Sequence, residues 1–467
     1  MENALVTGEK VIIEAKHLEP ASPAPVRKFS APRAGLILGH LPQFARNPLE
    51  FLERCAKYHG DVVPLRFLHR RVLLLNHPDH IEQVLTAQSK HFRKTIGYRT
   101  PFMRSLFGQG LLTSEGTLWT QQRRLAQPAF HRDRIAGYAN IIVQFAHETL
   151  SNWRAGERID IHAAVMKLTT RVIVRTLFNA EVPPAIAQLN DASEVVLREF
   201  SQQYRLWRFI RILFADKGSR RFKEVLGEID SFIYRLIDER RSTGENPGDL
   251  LSMLLAARDE SGAGMSDRQL RDELVTLMVA GLDTTALAVS WSMFLLAKSP
   301  AAQTKIRAEI KQVLGGRPPT FTDLPQLRFT DAVLKESMRL YPPAWIVGRE
   351  ALSECQIGGM TIRPGTSVIM SQWLKHRDPR YFSDPLAFRP ERWLEDSAKA
   401  LPKFAYFPFG GGPRVCIGNT FAQMESSLTL ACILQQFGFS CAPNYDVPLW
   451  PSITLQPQGG IWLQLEA

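Results

Sequence analysis

The chain has 467 residues, 45% of them hydrophobic and 22% charged, an ordinary globular composition with enough apolar residues for a large core. Lys plus Arg is 57 against 46 for Asp plus Glu, a net charge of +11 that suits nucleic acid, an anionic membrane or an acidic protein; no nucleic-acid motif and no tandem basic–aromatic pattern is present, so an acidic protein partner is preferred. Five cysteines (Cys55, Cys355, Cys416, Cys432, Cys441) are irregularly spaced with no C-x-x-C pair, which fits a reduced intracellular chain and not a disulfide framework.

Along the chain, no signal peptide opens the sequence and no stretch approaches 18 uncharged apolar residues, so a soluble cytosolic protein with no transmembrane anchor is expected. Residues 1–35, with "EPASPAPVRKFSAPRAG", read as an extended proline-rich segment, and 36–467 as one large domain. "DVVPLRFLHRRVLLLNHP" predicts two strands joined by a basic turn around His69. From about Pro78 to Ser299 the pattern is mostly helical. "SEGTLWTQQRRLAQPAFH" carries a capping signal at Ser114 and ends near Pro128. In "REFSQQYRLWRFIRILF", Phe200, Tyr204, Trp207 and Phe214 share a stripe that reads as core. Ser266–Ser299 is the longest helical run, opened by a Ser266–Gln269 capping box and closed by Pro300; about thirty residues span roughly 45 Å. "LPQLRFTDAVLKESMRLYPP" is a helix stopped by Pro342 and Pro343. "CQIGGMTIRPGTSVIMSQ" is strand-like, and "NTFAQMESSLTLACILQQF" returns to helix. The fold class is mainly α with a minor β portion.

The stretch "FPFGGGPRVCIG", residues 407–418, asks whether three glycines cradle a phosphate or a cysteine binds a metal. Pro413 removes a backbone donor and no Lys-Ser/Thr follows, so the phosphate reading is weak. The glycines permit a tight turn and close approach to a flat object. Cys416 precedes a helix starting near Asn419, whose N-terminus stabilises a thiolate, and Arg414 offers charge to an anionic ligand. A lone cysteine is more often a small buried hydrophobe, the reading adopted for Cys432 and Cys441. In the long helix, "AGLDTT" interrupts an apolar run with Gly281, Asp283 and Thr284, poor interior helix formers that signal either a tolerated kink or a functional break. Glu336 and Arg339 in "KESMR" are i, i+3 on one face, an ion pair that is commonly superficial. Trp119 and Arg123 in "WTQQR" are one helical turn apart.

Taken together and in order, these stretches resemble the cytochrome P450 family. Phe409, Gly412, Arg414, Cys416 and Gly418 match the haem-loop pattern F-x-x-G-x-R-x-C-x-G. Glu336 and Arg339 match E-x-x-R, and "FRPERW" supplies Arg392 with Trp393 where Phe is usual. "AGLDTT" matches the oxygen groove, "WTQQR" the W-x-x-x-R motif, and Arg349 in "VGREA" a propionate-binding arginine. The resemblance runs from about Pro42 to the C-terminus, departing at Trp393 and at Gly411, a position the family leaves free.

The resemblance implies a single P450-like domain whose long central helix crosses over haem b (iron protoporphyrin IX). Cys416 would be the axial thiolate, whose electron donation favours O–O cleavage. Trp119, Arg123, Arg349, Phe409, Gly412, Arg414 and Gly418 would bind the cofactor. Asp283 would connect to solvent and relay protons, and Thr284 would hold water or oxygen. Glu336, Arg339 and Arg392 would form a buried structural network, and His376 would be structural. The implied reaction is substrate plus O2, two electrons and two protons giving hydroxylated substrate and water. Electrons would come from a ferredoxin or flavodoxin with its reductase; Arg124, Arg132 and Arg134 are either its docking residues or a solvated face. Phe102, Phe107, Leu277, Ala280, Ile346 and Val347 would line the pocket for an apolar substrate, fatty acid or terpenoid-like. Other readings are a haem-thiolate peroxygenase, a non-catalytic haem sensor, and a thiol hydrolase, which needs a histidine base that no motif supplies.

Overall fold

The computed structural model describes residues 29–182 and 217–467; the aromatic stripe Phe200, Tyr204, Trp207 and Phe214 lies outside them. Helices dominate and are organised around Asp267–Ala297, 31 residues long. Its capping box forms as expected: Ser266 Oγ accepts from Gln269 N at 3.3 Å, and Gln269 Oε1 accepts from Ser266 N at 2.9 Å. Pro300 does not close this helix but opens the next one, Pro300–Leu314, where a missing N–H costs nothing. Residues are buried around the whole circumference of the long helix, the mark of a core helix. By length and composition it alone among the described residues could span a membrane, but 78% of its apolar window is buried within the protein.

The long helix packs on Ile161–Phe178, Arg328–Leu340 and Asn419–Gln436. Gly281 marks its crossing with the first of these: a Cβ there would lie 2.6 Å from Ile173 Cδ1. Thr169 Oγ1 from that neighbour donates to Leu282 O at 3.2 Å. The expected break at "AGLDTT" is therefore a close helix crossing, and the segment stays helical throughout.

The β portion sits to one side. Val62–Phe67 and Arg70–Leu75 form the expected hairpin, with Phe67 opposite Arg70 and a turn at Leu68–His69 in which Leu68 has φ 56°. The sheet continues through Ser367–Met370, parallel to Arg70–Leu75, then antiparallel Val347–Ala351 and Phe92–Lys94. Cys355–Ile357 and Met360–Ile362 make a separate hairpin. Glu115, not Ser114, holds the N-cap position of the helix Gly116–Ala126, and its side chain makes no capping bond. Ser114 lies one residue ahead of the N-cap; its hydroxyl is buried without a partner, and its carbonyl accepts from Lys94 Nζ at 2.8 Å.

A buried ion network joins the helix Arg328–Leu340 to the loop ahead of Cys416. Glu336 receives Arg339 Nη2 and Nε at 2.8 Å each, Arg392 Nε and Arg389 N at 3.0 Å each, and the indole N–H of Trp393 at 2.9 Å. Trp393 thus adds a donor that a phenylalanine lacks. Arg339 also donates to His376 O at 2.8 Å, and His376 Nε2 accepts from Phe407 N at 2.9 Å, so the network's geometry is passed to the loop. Burial pushes the His376 imidazole down to about 3, which keeps it a neutral acceptor and accords with a structural role.

Candidate active site

The loop folds back on itself: Cys416 N donates to Phe409 O at 3.0 Å, and Gly412–Arg414 form one tight turn. Gly410 and Gly412 have φ 72° and 67°. A Cβ on Gly412 would lie 1.7 Å from Leu85 O, and one on Gly411 2.3 Å from the Phe404 ring. Protein packing leaves no room for a side chain at either glycine, and Gly410 is the glycine of the three on the cavity wall. Gly418 is the N-cap of Asn419–Gln436, and its N–H bonds the Cys416 sulfur.

Cys416 opens into a cavity of about 470 Å³ between this loop and the long helix. Desolvation raises the Cys416 thiol, although the Gly418 N–H and Arg123 pull it down. Leu277, Ala280, Ile346 and Val347 line the cavity as expected, with Trp119 and Phe409. Phe102 and Phe107 are not on its wall. The helix Pro101–Phe107 buries Phe107 in the main core and stacks Phe102 on Phe222 with ring centroids 5.0 Å apart.

One end of the cavity is cationic. Arg123 Nη1 donates to Val415 O at 2.9 Å. Arg414 pairs with Glu115 at 2.5 and 3.0 Å and lies 4.7 Å from the Trp119 ring centroid. Arg349 is buried and donates to Gly348 O at 2.9 Å, with no carboxylate hydrogen-bonded to it among the described residues. Directly opposite it in the sheet register stands Lys94, which the sequence reading missed. Lys94 Nζ donates to Leu111 O and Ser114 O at 2.7 and 2.8 Å; burial, with Arg414 adding, pushes its ammonium down to about 7. Like charges opposed across strands are destabilising, and Glu115 is the only carboxylate bonded to this group among the described residues. The site is built for an anionic ligand with more than one negative charge, and the two carboxylates of haem fit it. The strand pairing that opposes Lys94 to Arg349 spans some 255 positions of sequence, so no local signal could have found it.

The "AGLDTT" turn divides its side chains. Thr284 faces the cavity while its Oγ1 donates to Ala280 O at 2.8 Å. Asp283 turns to the opposite side and is buried. Its Oδ2 accepts from Thr454 Oγ1 at 2.6 Å, and Gln456 Nε2 bonds both oxygens at 2.8 and 2.9 Å. The expected contact of Asp283 with solvent is not made, because these two side chains occupy its acceptor sites. A second acid was missed: Glu425 is fully buried on Asn419–Gln436, neither of its oxygens has a hydrogen-bond partner among the described residues, and burial raises its carboxyl to about 8. A single acid in the apolar run "MESSLTLACIL" was the available signal. Arg123, Arg124, Arg132 and Arg134 line one open groove on the outside of this region.

A family model described as "Cytochrome P450" matches residues 30–463. The chain belongs to the cytochrome P450 family. Among its relatives, cyclooctatin synthase of Streptomyces melanosporofaciens is 36% identical over 92% of this chain and 94% of its own. Pentalenene oxygenase of Streptomyces avermitilis is 33% identical over 90% and 92%, and cytochrome P450 4V2 of Mus musculus 31% identical over 94% and 89%. The protein is thus a P450 monooxygenase, an oxidoreductase that works with haem iron, and its single P450 domain is mainly α with minor β.

Proposed function

We propose that this P450 hydroxylates an apolar, terpenoid-like substrate, using haem b held by Cys416 and electrons from a ferredoxin or flavodoxin with its reductase. The observation that carries the reading is one apolar cavity bounded by Cys416, Thr284 and a cationic end. Relatives named for oxidation of pentalenene and of cyclooctat-9-en-7-ol support the substrate class.

Haem, when bound, supplies activation of O2 and insertion of one oxygen atom into the substrate. Cys416 is the ligand, with the Gly418 N–H stabilising its thiolate. Lys94, Arg123, Arg349 and Arg414 hold the carboxylates, and Trp119 backs Arg414. Leu277, Ala280, Ile346 and Val347 orient the substrate and exclude water. Thr284 holds a proton donor at the cavity wall, and Asp283, fixed by Thr454 and Gln456, sets the helix position behind it. The groove of Arg124, Arg132 and Arg134 receives an acidic electron donor.

Titration with a series of cyclic hydrocarbons and fatty acids, read as a haem spin-state shift and followed by product analysis under labelled O2, tests this. The reading expects cyclic hydrocarbons to shift the spectrum at lower concentration and to gain one labelled oxygen atom. Preference for fatty acids would overturn the substrate class. Thr284→Ala is expected to leave binding unchanged but to release reduced oxygen without product; unchanged coupling would remove Thr284 from proton handling.

A further inference from the structure

A second surface, on the β side of the molecule, has the chemistry of a membrane contact. Gly35 and Gly39 close a tight loop through two backbone bonds, Gly35 N to Gly39 O at 3.1 Å and Gly39 N to Gly35 O at 3.2 Å. Its tip is Leu36-Ile37-Leu38. Leu36 is 97% exposed and Ile37 82%, and Leu68, on the neighbouring hairpin turn, is 39% exposed. Among the described residues, little of the fold covers these large aliphatic side chains.

The backbone beneath them is prepared for a medium of low polarity. Arg66 donates to the carbonyls of Leu36 at 2.8 Å, Ile37 at 3.3 Å and Leu68 at 3.0 Å, and also to that of Gly35. Leu38 O accepts from Leu68 N at 3.2 Å. Each tip carbonyl therefore has a protein donor and can leave water without losing its hydrogen bond, which removes a main cost of insertion.

The surrounding charge has one sign. Residues 29–49 and 62–78, which make this face, contain Arg33, Arg46, Arg66, Arg70 and Arg71 and no Asp or Glu. Arg33, Arg46, Arg70 and Arg71 form no ion pair among the described residues. Glu50 and Glu53, just behind, are engaged: Glu50 with Asn47 and Arg54, Glu53 with the Trp373 indole. An apolar tip ringed by unpaired arginines matches the interface of a bilayer containing anionic lipid, where apolar insertion and cation–headgroup attraction add.

We propose that the loop 35–39 and the hairpin turn at Leu68 dock this protein on an anionic lipid bilayer, with Leu36 and Ile37 inserted at the headgroup boundary. A convex aliphatic tip fits a deformable lipid surface, whereas an acidic protein would meet only the arginines. The docked face also has a functional position. Phe44, Arg46, Phe67 and Arg70 line the outer part of a cavity of about 870 Å³. Its inner residues Tyr98 and Ile346 also line the cavity over Cys416. Docking sets this mouth against the lipid phase, where an apolar substrate dissolves. The docking itself stands whatever the enzyme oxidises.

Flotation of the full-length haem-loaded protein with phosphatidylcholine vesicles, with and without phosphatidylglycerol, tests the proposal. Binding is expected to the anionic vesicles and to weaken with salt. Leu36→Asp combined with Ile37→Asp should lower the bound fraction by roughly tenfold or more for each side chain, as expected for lost aliphatic burial. Arg70→Gln with Arg71→Gln should weaken the preference for phosphatidylglycerol. Both pairs should keep the wild-type haem spectrum and melting temperature, since none of the four side chains is in the core. As an independent readout, Trp at position 36 (Leu36→Trp) should be quenched by brominated lipid. Failure of wild type to float with anionic vesicles, undiminished flotation of the aspartate pair, or an unquenched tryptophan each overturns the proposal. So does loss in the variants of binding to an acidic ferredoxin alone, which would make this face a protein contact.

Discussion

Glu336→Gln removes one charge and almost no volume, yet it should be among the costliest single changes in the protein. Both carboxylate oxygens of Glu336 receive only donors: Arg339 Nη2, Arg392 Nε and Arg389 N on one, Arg339 Nε and the Trp393 indole on the other. Either orientation of the new amide puts an NH2 group against an N–H donor, and two guanidiniums lose their counter-charge where Glu336 and Arg339 are 0% exposed. Breaking a buried ion pair in this way costs about 3–5 kcal/mol. With about 2.1 cal/mol/K of unfolding entropy per residue, the whole chain has roughly 1 kcal/mol/K, so the melting temperature should fall by about 3–5 °C. Because Arg339 holds His376 and His376 holds Phe407, the haem loop should loosen as well. The assay is thermal unfolding by circular dichroism, paired with the rate of haem transfer to an excess of apomyoglobin. A melting temperature within about 1 °C of wild type, with haem transfer unchanged, would refute the claim that this network positions the loop.

Lys94→Met should separate the stability of the haem-free protein from haem retention. Without haem, relief of the repulsion from Arg349 and Arg414 opposes the loss of the Lys94 bonds to Leu111 O and Ser114 O, so the melting temperature should change little; with haem, the variant should lose the cofactor about tenfold faster, as for loss of one charged hydrogen bond. Glu425→Gln gives a pH signature. The Glu425 carboxyl lies near 4.5 unfolded and about 8 folded, so between those values the folded state holds a proton that the unfolded state has lost. Wild-type stability should therefore decline as pH rises through this window, and the glutamine variant, neutral throughout, should not share the decline. Their melting temperatures should agree at pH values below the window and diverge in favour of the variant toward pH 8; parallel profiles would contradict the assignment. Gly412→Ala should fold poorly or fail to bind haem, since its methyl would meet Leu85 O at 1.7 Å; a variant with wild-type haem content would refute the packing role.

Local chemistry made much of this legible. The capping box of the long helix, the hairpin around His69, and the i, i+3 pair Glu336–Arg339 follow from residue type and spacing, and the structure has each of them. What escaped the sequence depends on distant partners. Asp283 turns away from the cavity because Thr454 and Gln456, some 170 positions later, offer it hydrogen bonds. Gly412 answers to Leu85, and Gly281 to Ile173. Ser114 fails as a cap because the helix starts one residue later than its pattern suggests, which leaves Ser114 outside the N-cap position. Phe102 and Phe107 turn into the core because their short helix presents those positions to it. Lys94 was invisible because a basic residue at the end of a three-residue strand means nothing until its strand partner is known.

The most direct test of the account is the spectrum of the reduced protein with carbon monoxide, for wild type and Cys416→Ser side by side. Wild type should give the red-shifted Soret band of a thiolate-ligated haem, and Cys416→Ser should lose that band while its fold, read by circular dichroism, is kept. A wild-type band without the thiolate shift, or a thiolate band that survives in Cys416→Ser, would contradict the assignment of Cys416 as the haem ligand on which the site rests.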